Sequence, residues 1–148
     1  MPDNEPVEIL LVEDNPNDVE LALHALKKNK VSNRIQVVRD GEEALDFIFG
    51  KDSSSGGLSE QRPKMVLLDL KLPKVDGLEV LRRLKGDPRT RSIPVIMLTS
   101  SGEESDIVKS YDLGVNSYIV KPVDFQQFTE AVRQLGLYWM VMNQAPIQ

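Results

Sequence analysis

Cysteine is absent from all 148 residues, so disulfides, thiolate metal sites and cysteine nucleophiles are excluded together, which agrees with a reducing compartment. Long apolar runs are missing too. Those such as Ile9–Val12 (ILLV) span a few residues, where a membrane-crossing helix needs about twenty. The N-terminus, MPDNEPVE, carries acids where a secretory signal would place basic residues and then an apolar stretch, so a cytoplasmic protein with no membrane partner is expected. Nor is there an excess of positive charge: the formal net charge is −5 and the pI about 4.9, which argues against a nucleic-acid partner. What remains is 41% hydrophobic and 28% charged, enough for one core and too short for two. Residues 1–148 therefore read as a single domain with its core at about 8–136 and an apolar extension at 137–148.

Four apolar runs of strand length, Glu8–Val12, Met65–Leu68, Val95–Leu98 and Ser117–Val120, alternate with amphipathic stretches, and a fifth run, Arg34–Val38, is weaker. The helical patterns are Pro16–Asn29, Glu42–Phe49, Leu78–Lys85, Glu103–Leu113 and Asp124–Leu135. The first places Val19, Ala22, Leu23 and Leu26 on one face, and the last does so with Phe125, Phe128, Val132 and Leu135. Gly86-Asp-Pro88 and Gly114 stand where helices should stop. The rhythm predicts an α/β fold: a flavodoxin-like, doubly wound parallel sheet of five strands in the order 2-1-3-4-5, between two layers of helices. Gly50–Pro63 has loop composition and no periodicity, and reads more simply as a tolerated insertion than as a lid.

In such sheets ligands bind outside the carboxyl ends of the strands, so the polar residues found there matter most. Glu13-Asp14 follows strand one, Asp69 strand three, Thr99-Ser100 strand four and Lys121-Pro122 strand five. Asp69 comes directly after the apolar run Met65–Leu68, where an unpaired buried carboxylate would be costly. Asp14 alone marks no site, because Asp14 or Asn15 can cap the helix that begins at Pro16. The constellation says more. Carboxylates from Glu13, Asp14 and Asp69 would converge on one crevice, and two of them about 5 Å apart repel by about 3 kcal/mol at an effective dielectric near 20. A cation is the natural remedy, and all-oxygen ligands suit Mg²⁺ or Mn²⁺. Lys121 adds a fixed positive charge and Thr99 a hydroxyl. These parts suit phosphoryl transfer to a carboxylate, with Asp69 as the nucleophile.

The motifs LLVEDNPND, LLDLKLPKVDGLEVL, PVIMLTSS and SYIVKPVD, in this order and over Ile9 to about Leu135, resemble the receiver domains of two-component response regulators. The resemblance implies that Asp69 accepts a phosphoryl group from a phosphohistidine of a sensor histidine kinase. It implies Mg²⁺ held by Glu13, Asp14, Asp69 and the Lys71 carbonyl, and Thr99 and Lys121 on the phosphoryl group. Tyr118 would turn inward as Thr99 moves, and Lys121-Pro122 matches a peptide usually cis in the family. A receiver catalyses only its own phosphorylation and dephosphorylation. Many members carry aspartate where Glu13 stands and alanine where Ser100 stands, while Lys71 and Ser101 occupy positions tied to hydrolysis rate.

Asp76 with Gly77 reads as the turn before the third helix, and His24, the only histidine, has no reactive companion. After the fifth helix the chain runs from Gly136 to Gln148, so no DNA-binding output is expected. The consecutive apolar residues Leu137–Met142 suggest a homodimer through this extension and the fourth helix, fifth strand and fifth helix. The extension, Glu13 and the long loop are together similar to single-domain regulators paired with phytochrome histidine kinases. Three other readings compete. A haloacid-dehalogenase-like phosphatase needs an aspartate where Lys71 stands, a flavodoxin needs a phosphate loop where Glu13–Pro16 stands, and a receiver-fold docking module that has lost phosphorylation would usually lack part of the pocket, the related alternative being a phosphate sink without its own output.

Overall fold

The computed structural model describes residues 8–28, 34–50, 62–121 and 125–134. Ten elements alternate: β1 (Ile9–Val12), α1 (Pro16–Lys28), β2 (Ile35–Val38), α2 (Gly41–Phe49), β3 (Met65–Leu68), α3 (Gly77–Gly86), β4 (Val95–Thr99), α4 (Glu104–Asp112), β5 (Ser117–Val120) and α5 (Phe125–Gln134). All strand pairs are parallel and the order is β2-β1-β3-β4-β5, as the alternation predicts. The ends differ from the expected ones by a residue where capping decides them. Glu103 is the N-cap of α4 rather than its first residue, and Asp40 caps α2 through a 2.7 Å bond from Glu43 N, so that helix starts at Gly41. The 137–148 extension, Pro122 and loop residues 51–61 lie outside the described residues.

Covered on both faces, β1, β3 and β4 read as unbroken apolar runs, and strand alternation sends successive side chains to two separate cores. Leu10, Val12, Val66, Leu68, Val95 and Met97 meet Ala44 and Ile48 of α2 and Val80, Leu81 and Leu84 of α3. Ile9, Leu11, Met65, Leu67, Ile96 and Leu98 meet Val19, Ala22 and Leu26 of α1 and Phe128 of α5. Burying a side chain as large as Phe128 contributes about 1.5–3 kcal/mol, and it fixes α5 against the sheet. β2 is an edge strand with only Val38 fully buried, which explains its weaker, alternating signal.

Two glycines allow the segment after β3 to lie close to its neighbours. A Cβ on Gly77 would stand 2.1 Å from the Asp69 carbonyl oxygen, and one on Gly41 1.8 Å from that of Val75. Gly77 N donates to Leu70 O at 2.8 Å and Gly41 N to Pro73 O at 3.3 Å, while Leu70 and Leu72 are buried. Lys74 takes a positive φ of 67° in this turn and pairs with Asp40 and Glu42 at 3.7 and 3.8 Å. Asp76 caps α3 by accepting from Glu79 N at 3.0 Å.

At the opposite end of the sheet a brace joins α3 to the β4–β5 edge. Asn116 Oδ1 accepts from Val95 N at 2.8 Å and from Lys85 Nζ at 3.0 Å, and the same ammonium donates to the carbonyls of Ile93 (2.8 Å) and Arg91 (3.1 Å). Burial pushes the Lys85 pKa down, and among the described residues its ammonium is bonded to oxygens of neutral groups. Replacing Asn116 with alanine leaves the Val95 amide without its side-chain acceptor. We expect Asn116→Ala to lower unfolding free energy by about 1–3 kcal/mol. A urea titration at unchanged slope checks it, and a loss under about 0.5 kcal/mol contradicts the brace.

Candidate functional site

The carboxyl ends of β1, β3, β4 and β5 open onto one acidic crevice. Glu13 follows β1, is buried, and has its backbone N tied to Val38 O at 3.0 Å. Asp14, the next residue, is exposed. Asp69 follows β3, with its backbone N bonded to Val12 O at 3.1 Å and its Oδ1 accepting from Leu70 N at 2.7 Å. One carboxylate oxygen from each of Glu13, Asp14 and Asp69 lies within 4.8 Å of the others. Asn15 settles the capping question, because its Oδ1 accepts from Asn17 N (2.8 Å) and Asp18 N (3.2 Å). Capping therefore makes no demand on Asp14.

Lys121, just past β5, sends its ammonium into this cluster. It bonds Glu13 Oε1 and Asp18 Oδ2 (2.9 Å) and stands 3.4 Å from Asp69 Oδ2. Asp18 is the residue that reading the sequence missed. It lies in the first turn of α1, where an acid has a sufficient local explanation in the helix dipole.

Three carboxylates thus touch one ammonium, and a fourth, Asp14, stands beside Glu13 and Asp69. Burial raises the Glu13 pKa above its ordinary 4.5. Hydrogen bonds from Lys121 and the Asn15 amide offset part of this, and the charge of Asp69 adds to it. Burial also opposes the charge on Lys121, yet its bonds to Glu13 and Asp18 and the field of Asp69 carry its pKa above 10.5. The two rises differ in their main cause, burial at Glu13 and hydrogen bonds to carboxylates at Lys121, and the charge of Asp69 adds to both. Hard anionic oxygens in excess, with Asp14 open to solvent, fit a divalent cation of the Mg²⁺ or Mn²⁺ type.

Thr99 ends β4 buried, and its Oγ1 accepts from Ser101 N at 3.3 Å. Ser100 is exposed. Half-buried Tyr118 on β5 donates its hydroxyl to Ser101 O at 2.7 Å, and burial raises its pKa. Ser101 Oγ in turn donates to Asp106 Oδ2 in the first turn of α4 at 2.6 Å, a link the sequence did not suggest. Lys71 has an exposed side chain and lines, with Asp14, Leu72, Asp76 and Asp106, an open groove of about 500 Å³ beside the crevice.

A family model described as the response regulator receiver domain matches residues 9–133. The chain belongs to the response regulator receiver family. It is 42% identical over 142 residues to the probable methanogenesis regulatory protein FilR2 of Methanothrix harundinacea, covering 96% of this chain and 89% of that one. The solved structure of the bacteriophytochrome response regulator AtBRR matches at 54% identity with a TM-score of 0.77, over 95% of this chain and 99% of that one. Response regulator Rcp1 of Synechocystis is 36% identical over 137 residues, or 93% and 91% of the two chains. The Mn²⁺-bound form of Rcp1 matches with a TM-score of 0.71 at 34% identity, over 97% and 99%. Receiver domains are signalling modules phosphorylated by histidine kinases, and they bind a divalent metal. Among the described residues, no helix is long and apolar enough to cross a membrane.

The raised pKa of Glu13 has a pH signature without metal. Between 4.5 and its raised value the folded chain binds a proton that the unfolded chain has released, so stability falls as pH rises through that interval. We expect metal-free protein to show this fall in chemical denaturation and Glu13→Gln to lose most of it. An identical pH profile for the two would contradict the assignment.

Proposed function

We propose that this receiver is a phosphorylation-driven switch in which Asp69 takes a phosphoryl group from a phosphohistidine of a sensor histidine kinase. The observation that carries the reading is the approach of Lys121 Nζ to Asp69 at the mouth of the carboxylate cluster. An oxygen of Asp69 attacks phosphorus, the bond from phosphorus to the imidazole nitrogen breaks, and the acyl phosphate stays on Asp69. Lys121 faces the negative charge on the phosphoryl oxygens, and the Thr99 hydroxyl donates to one of them. Glu13, Asp14, Asp69 and the Lys71 carbonyl would hold Mg²⁺, which would supply positive charge to offset that of the incoming phosphoryl group. Release of the phosphoryl group to water returns the domain to rest, and the chain acts on no other substrate.

Phosphorylation brings about −1.5 to −2 charge to the crevice. Moving a two-state domain from 1:99 to 99:1 takes about 5.5 kcal/mol, and new bonds from Thr99 and Lys121 contribute to it. As Thr99 turns towards the phosphoryl group it gives up Ser101 N, and Tyr118, bonded to Ser101 O, moves with that segment. The surface of α4, β5 and α5 then carries the signal. Val108, Tyr111 and Val120 are exposed there, which supports a homodimer through this face with the 137–148 extension. The likeness to AtBRR at 54% identity supports a phytochrome as the kinase, in the cytoplasm, with residues 1–148 acting as one domain.

Incubation with Mg²⁺ and acetyl phosphate tests this reading. Intact mass should show one added phosphoryl group, absent in Asp69→Asn and at least about tenfold slower to appear in Lys121→Met. No addition to the wild type, or addition that persists in Asp69→Asn, sinks the assignment.

A further inference from the structure

We propose that Asp18 is a positioning residue for Lys121, holding its ammonium beside Asp69 while leaving the other carboxylates free for a cation. The ammonium touches Glu13, Asp18 and Asp69, and two of these three belong to the carboxylate cluster that fits the cation. Asp18 is the partner outside that cluster. A cation that takes oxygens of Glu13 and Asp69 removes them from Lys121 and repels its charge. Asp18, 2.9 Å from Nζ, keeps the ammonium at the rim of the site.

The support beneath Asp18 is rigid. Asn15 Oδ1 binds its backbone N at 3.2 Å, Val19 N closes the first helical turn on Asn15 O at 2.9 Å, and Val19 is buried in the core. The residue is therefore held on the scaffold, although its own side chain is about one-third exposed, at 35%. Without it, every remaining partner of Lys121 is a ligand the cation needs, so lysine and metal compete for the same oxygens. The inference rests on reading Glu13, Asp14 and Asp69 as cation ligands.

A double-mutant cycle on Mn²⁺ affinity, read by electron paramagnetic resonance of the free ion, tests it. Asp18→Asn, and Asp18→Ser as a second neutral variant, should weaken Mn²⁺ binding about fivefold in the wild-type background and less than about 1.5-fold in Lys121→Met. Asp18→Glu, which keeps the charge, should stay within about twofold of wild type. Equal losses in both backgrounds would mean that Asp18 acts only through its long-range field, and no loss in either would mean that it does nothing here. Either result overturns the role of Asp18 alone. Wild-type protein that binds no Mn²⁺ overturns the ligand reading and this inference with it.

Discussion

The ammonium of Lys121, placed among the carboxylates of Glu13, Asp18 and Asp69 with Asp14 alongside, is the interaction on which the site depends. At about 4 Å and an effective dielectric near 20, one ion pair gains about 4 kcal/mol. Desolvating each ion takes back several kcal/mol, so a single buried pair would be close to neutral. Four carboxylates share this region with one lysine, and burial, with the charge of Asp69 adding to it, raises the Glu13 pKa despite the bond from Lys121. The resting crevice is short of positive charge. That shortage gives a receiver domain its affinity for a divalent cation and, through it, for a phosphoryl group.

The fold creates the shortage by placement. Parallel strands point their carboxyl ends the same way, so residues 13, 69, 99 and 121, far apart in the chain, become neighbours. Asp69 is held on three sides: its amide on β1, its side chain on Leu70 N, and its carbonyl against bare Gly77. On the other flank, Thr99, Ser101, Tyr118 and Asp106 form a hydrogen-bonded chain from the crevice to the start of α4. These bonds link Thr99, at the crevice, to the helix that carries exposed Val108 and Tyr111.

The strands that form the floor of the site were legible because β1, β3 and β4 are buried on both faces, and the polar residues after them stand out against apolar runs. Glu13, Asp14 and Asp69 were legible as a set for the same reason. Asp18 was not, since an acid in the first turn of a helix has a sufficient local explanation in the helix dipole. Asn116 was hidden in the same way. Its position before β5 reads as a turn, while its amide braces β4 to α3 across sequence separations that local patterns do not report. The Ser101–Asp106 bond joins residues five apart at a loop–helix junction, where neither helical nor strand periodicity applies.

If the crevice is a reservoir of negative charge that Lys121 balances until a cation arrives, then the cost of losing Lys121 must depend on that cation. The direct measurement is the unfolding free energy of wild type and Lys121→Met, with and without saturating Mg²⁺. Without Mg²⁺ the variant should be less stable by about 2–4 kcal/mol, because carboxylates are left uncompensated, and saturating Mg²⁺ should remove more than half of that difference. A difference that stays the same with and without Mg²⁺ would contradict the account.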